Sequence, residues 1–469
     1  MKPFRCSAPL LVLVLTVCLP ESAPAQDWTR FRGPNGSGAI EATGLPIRFG
    51  ADENVLWRVD VPRGRSSPVL AGNNIFLTGT DESHLVTICI NRKLGTVRWR
   101  RTKDRARTEV IYSANGPASP SPATDGTNVY AFFPELGIVS YDASGEERWT
   151  HALGPFVSFY GMASSPILAG DTLLLACDQQ SGSFLLALDA NTGETLWHKD
   201  RRVVESWTTP VLHPAENPKQ VILFGTFAIH GYSIETGEEL WTTRGVGYAP
   251  VSSPVVHEDR LFISVPFHAE HPMPDFATMS GPLDKNGDGK VSEAEAAGAR
   301  IAEHFGWADA DKDGLIDAEE WDFIHKGMGT RDFGLVAYDL SESGAKEVWR
   351  YKKGLPSIST PLIYEGVLYL AKDSGILTTI DIANGEVLKR GRITGTDGQV
   401  YPSPVAADGK IFVTSSSGKI AVLKAGGEWE VLAINDLEEE IEATPAMDDG
   451  HIYVRTAEGL YCFGAAPQD

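Results

Sequence analysis

Hydrophobic positions along this chain cluster in short runs of three to six residues, separated by turn-forming residues, and the runs recur in order. A Ser-Pro or Thr-Pro pair opens such a run eight times: Ser67-Pro68, Ser121-Pro122, Ser165-Pro166, Thr209-Pro210, Ser253-Pro254, Thr360-Pro361, Ser403-Pro404 and Thr444-Pro445. Successive prolines are 54, 44, 44, 44, 107, 43 and 41 residues apart. Most are followed by a second apolar run, as at Ile75-Phe76-Leu77, Val129-Tyr130-Ala131, Leu261-Phe262-Ile263, Val367-Leu368-Tyr369 and Ile411-Phe412-Val413. A third run comes next, then a turn, then a strand carrying Trp. The clearest copy is Ala187-Leu188-Asp189-Ala190-Asn191-Thr192-Gly193-Glu194-Thr195-Leu196-Trp197, where Gly193 supplies the positive φ a tight hairpin needs. Four short strands per unit of about 44 residues is the pattern of a β-propeller blade.

The turn and its Trp recur at Leu94-Gly95…Trp99, Gly145…Trp149, Gly237…Trp241, Gly344…Trp349 and, more loosely, Gly427…Trp429, whereas Lys389 takes the Trp position in the sixth unit. A Trp at one place in most blades reads as a packing wedge between neighbours. The last unit runs through Ile452-Tyr453-Val454 and Leu460-Tyr461-Cys462-Phe463 and lacks its Trp strand, while Asn54-Val55-Leu56-Trp57-Arg58-Val59 stands unassigned near the other end. The expectation is an all-β fold: eight blades, the last closed by the N-terminal strand, which removes exposed sheet edges.

The motif Ala-x-Asp-x-x-Thr-Gly-x-x-x-Trp at 187–197 resembles the quinoprotein-type repeat of quinone-dependent alcohol dehydrogenases and of the outer-membrane β-barrel assembly lipoprotein. The opening Trp28-Thr29-Arg30-Phe31-Arg32-Gly33-Pro34-Asn35-Gly36, followed by Glu53-Asn54-Val55-Leu56-Trp57, looks like exported quinoprotein-like propeller proteins. The resemblance implies a quinoprotein-like (PQQ-repeat) propeller, and it offers two activities: a PQQ-dependent oxidoreductase of the alcohol or sugar dehydrogenase kind, or a β-barrel assembly factor. Quinone alcohol dehydrogenases of this resemblance carry adjacent cysteines beside the cofactor and a calcium against the quinone. This chain has no Cys-Cys pair, so PQQ is the weaker expectation and a non-catalytic binding or scaffold protein the stronger.

The long proline step places an insertion in the fifth blade, between the strand Leu261–Phe267 and the strand that starts at Gly334. Two twelve-residue runs within it, 284–295 and 309–320, match the EF-hand calcium loop at every diagnostic position. Asp284, Asn286 and Asp288, and likewise Asp309, Asp311 and Asp313, occupy positions 1, 3 and 5, where hard side-chain oxygens face the ion. Lys290 and Leu315 offer backbone carbonyls at position 7, Ser292 and Asp317 stand at position 9, and Glu295 and Glu320 close the loops as bidentate ligands. An all-oxygen set with Glu at position 12 favours Ca²⁺ over Mg²⁺. Val291 and Ile316 at position 8 suit a short antiparallel contact between the loops. Residues 293–307, with Ala297, Ile301 and Phe305 four apart, are expected to form one helix shared by both loops, and Trp321, Phe323 and Ile324 an exit helix packed on it. Gly281-Pro282 argues against a long entering helix.

Composition narrows the partners. The formal charge is −21, which argues against nucleic acid and against adsorption to anionic lipid. Residues 268–333 hold fifteen Asp/Glu against six Lys/Arg, so the acidity is concentrated at the two loops. Lys2 and Arg5, the apolar run Leu10–Leu19 and Ala23-x-Ala25 have the order of a secretory signal peptide, and the run is too short to span a bilayer. The expected layout is a leader over 1–25, propeller over 26–267, insert over 268–333 and propeller again over 334–469, exported to the periplasm or beyond. Lipid attachment at Cys18 is disfavoured by Val17, which stands where a small residue is wanted. Cys89, Cys177 and Cys462 sit in strand-like runs and read as small buried hydrophobes. His268-x-x-His271 is half a metal site at most, or a pair of exposed histidines. Arg65, Trp207, Tyr401 and Glu442, three residues before their prolines, and Tyr160 and Tyr248, six before, should rim one propeller face. These residues form a candidate funnel for a protein, peptide, small-molecule or carbohydrate ligand.

Overall fold

The Ser/Thr residues that precede the repeat prolines explain why the repeat is spelled as it is. In the computed structural model, which describes residues 27–109, 115–266, 273–329 and 332–464, each hydroxyl accepts the backbone N–H of its counterpart one blade earlier. Ser67 N donates to Ser121 Oγ (2.8 Å), Ser121 N to Ser165 Oγ (3.0 Å), Ser165 N to Thr209 Oγ1 (3.1 Å) and Thr209 N to Ser253 Oγ (2.9 Å). Ser253 N then donates to Thr360 Oγ1 (3.1 Å), Thr360 N to Ser403 Oγ (3.0 Å), Ser403 N to Thr444 Oγ1 (3.0 Å), and Thr444 N returns to Ser67 Oγ (3.0 Å). The result is a closed hoop of eight buried bonds. Ser121→Ala would strip the acceptor from the Ser67 N–H and leave a buried donor unpaired, at a cost of about 1–3 kcal/mol. Urea unfolding should show that loss for Ser121→Ala and a much smaller one for Ser121→Thr, which keeps the hydroxyl.

Around the hoop stand eight four-stranded antiparallel sheets. Blade one is typical: Val69–Ala71, Asn74–Thr80, His84–Asn91 and Val97–Asp104, from axis to rim. The second strands are buried over most of their length, and rim strands such as Val55–Asp60 and Thr195–Arg201 alternate in exposure. Val55–Asp60 pairs antiparallel with Gly459–Gly464, Trp57 opposite Cys462, and completes the eighth blade as expected. The Trp wedge is also present. The Trp149 ring lies against Gly193 of the next blade, where an added Cβ would stand 2.6 Å from it, and φ at Gly193 is +75°. Trp149 Nε1 donates to Ala190 O (3.1 Å), and Trp57, Trp99, Trp197 and Trp349 bond the next blade's turn in the same way. In blade six the substituted Lys389 reaches forward instead, its Nζ 4.3 Å from the Trp429 ring centroid and 2.6 Å from Trp429 O.

The opening segment has a structural role that its sequence did not disclose. Residues 27–40 lie along the inner strands of several blades and satisfy their free backbone groups, and residues 43–49 continue across hairpin turns to the rim strand of blade seven. Leu70 N donates to Trp28 O (2.8 Å), Thr124 N to Thr29 O (2.9 Å), and Asn35 makes a two-way bond with the Leu212 backbone (2.9 Å each). Arg32, fully buried, donates to the carbonyls of Gly36 (3.1 Å), Ser37 (3.1 Å), Pro361 (3.0 Å) and Pro404 (3.2 Å). Arg30 bonds Pro210 O from the same strap. Burial lowers both guanidinium pKa values to about 9.

Between the second strand of blade five, Arg260–Val265, and its third, Gly334–Ser341, lie four short helices. They are α1 (Phe276–Ser280), α2 (Glu293–Ala296), α3 (Phe305–Ala308) and α4 (Ala318–Gly329), with a 3₁₀ turn at Arg300–His304. The single helix expected over 293–307 is therefore corrected to three pieces. Ala297 turns extended (φ −54°, ψ 124°) and Gly298 takes φ +80°, a conformation that no helix admits. The exit helix is α4, with Trp321 and Ile324 buried in a small core beside Val291, Phe305 and Ile316. The leader, Cys18, His268 and His271 lie outside the described residues. No helix among the described residues is long and apolar enough to cross a membrane.

Candidate metal centre and ligand mouth

The two acidic runs fold as paired loops. Val291–Ser292 and Leu315–Ile316 form a two-stranded antiparallel ribbon with Val291 opposite Ile316. In the first loop Asp284 accepts Gly287 N (2.7 Å) and Gly289 N (2.9 Å), Asn286 accepts Asp288 N (2.8 Å), and Asp288 accepts Lys290 N (2.9 Å). Glu295 folds back on the loop from α2, accepting Lys285 N (3.0 Å), Asn286 N (3.3 Å), Ser292 N (2.9 Å) and Ser292 Oγ (2.7 Å). These bonds, Ser292 first, hold its carboxyl down at about 2.

The second loop repeats the backbone pattern in a drier setting. Glu320 accepts Ala310 N (2.9 Å), Asp311 N (3.3 Å) and Asp317 N (3.0 Å), and Asp309 accepts Gly314 N (3.1 Å). Leu315 N donates to Asp313 (2.8 Å), and Glu320 N to Asp317 (2.9 Å). Asp309 and Glu320 are 6% and 4% exposed, whereas Asp284 and Glu295 lie near solvent. Burial pushes the Glu320 carboxyl up to about 7 and raises that of Asp309. Asp309 Oδ1 is buried without a hydrogen-bond partner among the described residues. Carboxylate oxygens of Asp309, Asp311 and Asp313 all lie within 4.8 Å of one another. Two oxygens on opposite sides of a Ca²⁺ at about 2.4 Å each are separated by about that distance. The donors are hard oxygens only, so the set suits calcium.

Antiparallel blades bring two kinds of connection to one face: the hairpin joining second and third strands, and the link from a rim strand to the next inner strand. The insert is a hairpin of the first kind, and every candidate funnel residue sits on a link of the second. Arg65 and Glu442 meet in an ion pair (Nε–Oε2 2.5 Å). Tyr160 packs edge-on against Trp207 (centroids 5.5 Å), whose indole N–H donates to Gly161 O (2.9 Å). Tyr248 packs on Phe227 (5.8 Å). No ring contact or hydrogen bond joins Tyr401 to the other five among the described residues. Phe159 and Glu205 belong to the same cluster and carry no repeat signal. The Phe159 ring is 4.8 Å from Tyr160, and its N–H donates to Glu205, whose carboxyl burial raises.

The insert leans over this mouth. Gly182 N donates to Ala310 O (3.0 Å), Arg202 pairs with Glu319 (2.8 Å) and Asp311 (3.4 Å), and Phe323 of α4 packs on Phe227 (5.7 Å) under Arg244 (5.1 Å). Cys89, Cys177 and Cys462 are buried in blades one, three and eight, and burial pushes the Cys89 and Cys462 thiols up to about 12.

Residues 49–199 and 181–266 match the family described as Outer membrane protein assembly factor BamB. BamB of Alkalilimnicola ehrlichii is 33% identical over 152 residues, which cover 32% of this chain and 36% of that protein. BamB of Yersinia pestis is 25% identical over 347 residues, covering 69% of this chain and 79% of that protein. The chain thus aligns with little more than a third of the first relative. A europium-containing methanol dehydrogenase superposes with a TM-score of 0.60 at 11% identity, over 94% of this chain and 98% of that one.

Proposed function

From a chain that is a quinoprotein-like PQQ-repeat β-propeller, we propose a calcium-binding, non-catalytic scaffold of the cell envelope that holds a protein or carbohydrate at its aromatic mouth. The carrying observation is the second loop, where Asp309, Asp311 and Asp313 converge while a buried Asp309 oxygen has no partner among the described residues. An uncompensated buried carboxylate is costly, and a bound cation removes that cost. Calcium is held by Asp309, Asp311, Asp313, Leu315 O, Asp317 and Glu320, and in the first loop by Asp284, Asn286, Asp288, Lys290 O, Ser292 and Glu295. Calorimetry on the full chain is expected to resolve two calcium sites, with Glu320→Gln removing one and Glu295→Gln the other. Heat flow that is flat up to millimolar calcium would sink the assignment.

The assembly-factor relatives favour a protein ligand and an address in the envelope. Capture from envelope extracts, with and without chelator, tests that reading; β-barrel assembly machinery among calcium-dependent partners is the expected outcome. The quinone-dehydrogenase reading draws on fold likeness. Against it, the three buried cysteines lie in separate blades and offer no adjacent pair to a quinone. An absorbance band on adding pyrroloquinoline quinone, together with dye-linked alcohol oxidation, would reverse the choice.

A further inference from the structure

We propose that the second acidic loop and the aromatic mouth form one coupled unit, linked through the Gln179–Gly182 turn, so that a divalent cation at Asp309–Glu320 tightens the wall carrying Phe159 and Tyr160. The inference rests on reading that loop as a cation site. The link begins inside the loop. Ala310 stands between two ligand positions, its N–H donating to Glu320 (2.9 Å) and its carbonyl accepting Gly182 N (3.0 Å). Pulling Asp309, Asp311 and Glu320 onto one ion fixes the Ala310 carbonyl on which Gly182 hangs. The approach is close: a Cβ on Gly182 would stand 2.8 Å from the Lys312 side chain.

From Gly182 the connection runs through one buried amide. Gln179, 4% exposed, donates Nε2–H to Gly182 O (2.9 Å) and accepts Val157 N at Oε1 (2.9 Å), while Gln180 N donates to Val157 O (2.9 Å). Two residues further, Phe159 N bonds Glu205 and Tyr160 packs on Trp207. A second tether runs alongside, with Arg202 of the segment that carries Glu205 reaching Asp311 and Glu319. Short contiguous bonds of this kind transmit position locally, and coupling between two such sites is typically about 5–150-fold.

Amide exchange on the full chain, read by mass spectrometry with and without calcium, tests the link, with calorimetry on the same samples. Calcium is expected to slow exchange over residues 155–162 and 180–183 by about tenfold, within that range. Gln179→Met, a residue outside both the loop and the mouth, should still take up calcium yet lose the slowing at 155–162. Arg202→Met, at a half-exposed position, should weaken it too. Calcium uptake with unchanged exchange at 155–162 overturns the coupling and leaves the cation site standing. Slowing that persists in both variants overturns this route. Absence of calcium uptake overturns the cation site itself, and the coupling with it.

Discussion

Replacing Arg201 by Met is expected to cost about 3–5 kcal/mol of stability, read as a lowered denaturant midpoint at unchanged slope. Arg201 and Asp178 are 0% and 3% exposed at their side chains, joined by two bonds (Nε–Oδ1 2.8 Å, NH2–Oδ2 3.2 Å). Tyr232 OH accepts from Arg201 NH1 (2.7 Å), and Ser206 Oγ donates to Asp178 (2.7 Å). Removing the guanidinium leaves a carboxylate in the interior with a hydroxyl as its remaining side-chain donor, and desolvation is no longer offset by attraction. Replacing both partners with apolar groups of similar size should cost less than Arg201→Met alone, because no charge is stranded. If the double replacement proves the more damaging, packing rather than charge governs the site.

Chelation is the second large effect expected, and it should fall on the insert. That segment rests on a small core of its own, centred on Val291, Phe305, Ile316, Trp321 and Ile324, with helices of four to twelve residues. A core of that size supplies little stability without a staple. At free calcium one hundred times the dissociation constant, each occupied site adds about 2.7 kcal/mol to the folded state. Differential scanning calorimetry should therefore show an insert transition that shifts downward with chelator while the propeller transition stays in place. Asp309→Ala should remove the increment of the second loop and retain that of the first. An insert transition indifferent to chelator would refute metal stapling.

What could be read in advance was whatever repeats with the chain's own period. The strand runs, the Gly-Trp turns and the unpaired strand at 54–59 are carried by residues whose partners recur every blade, so a pattern of letters suffices. The Ser/Thr before each proline was visible as a letter, but its bond is to a backbone group one blade away, and nothing in the apolar periodicity encodes that. The strap at 27–50 bonds several blades at once without repeating. The break after Ala296 is hidden in the sequence because Ala297, Ile301 and Phe305 satisfy helical spacing on their own, while one positive φ at Gly298 overrides it. Around the mouth, Arg65 with Glu442 and Tyr160 with Trp207 were placed on one face by their offset from the prolines. Glu205 bonds Phe159, Gln179 joins Val157 to Gly182 and Arg202 reaches the insert, partners that the repeat does not name, so only folding brings them together.

The hoop of hydroxyl bonds has no first or last member. In a linear repeat array a terminal unit can fray while the rest holds, because stability sums over neighbours. Here freeing any one blade breaks the cycle at two places, and the eighth blade draws three strands from one part of the chain and one from a segment nearly 400 residues earlier. The propeller behaves as a belt fastened by its own sheet: gaining or losing a blade requires refastening the whole circumference, and half-fastened states have little to hold them.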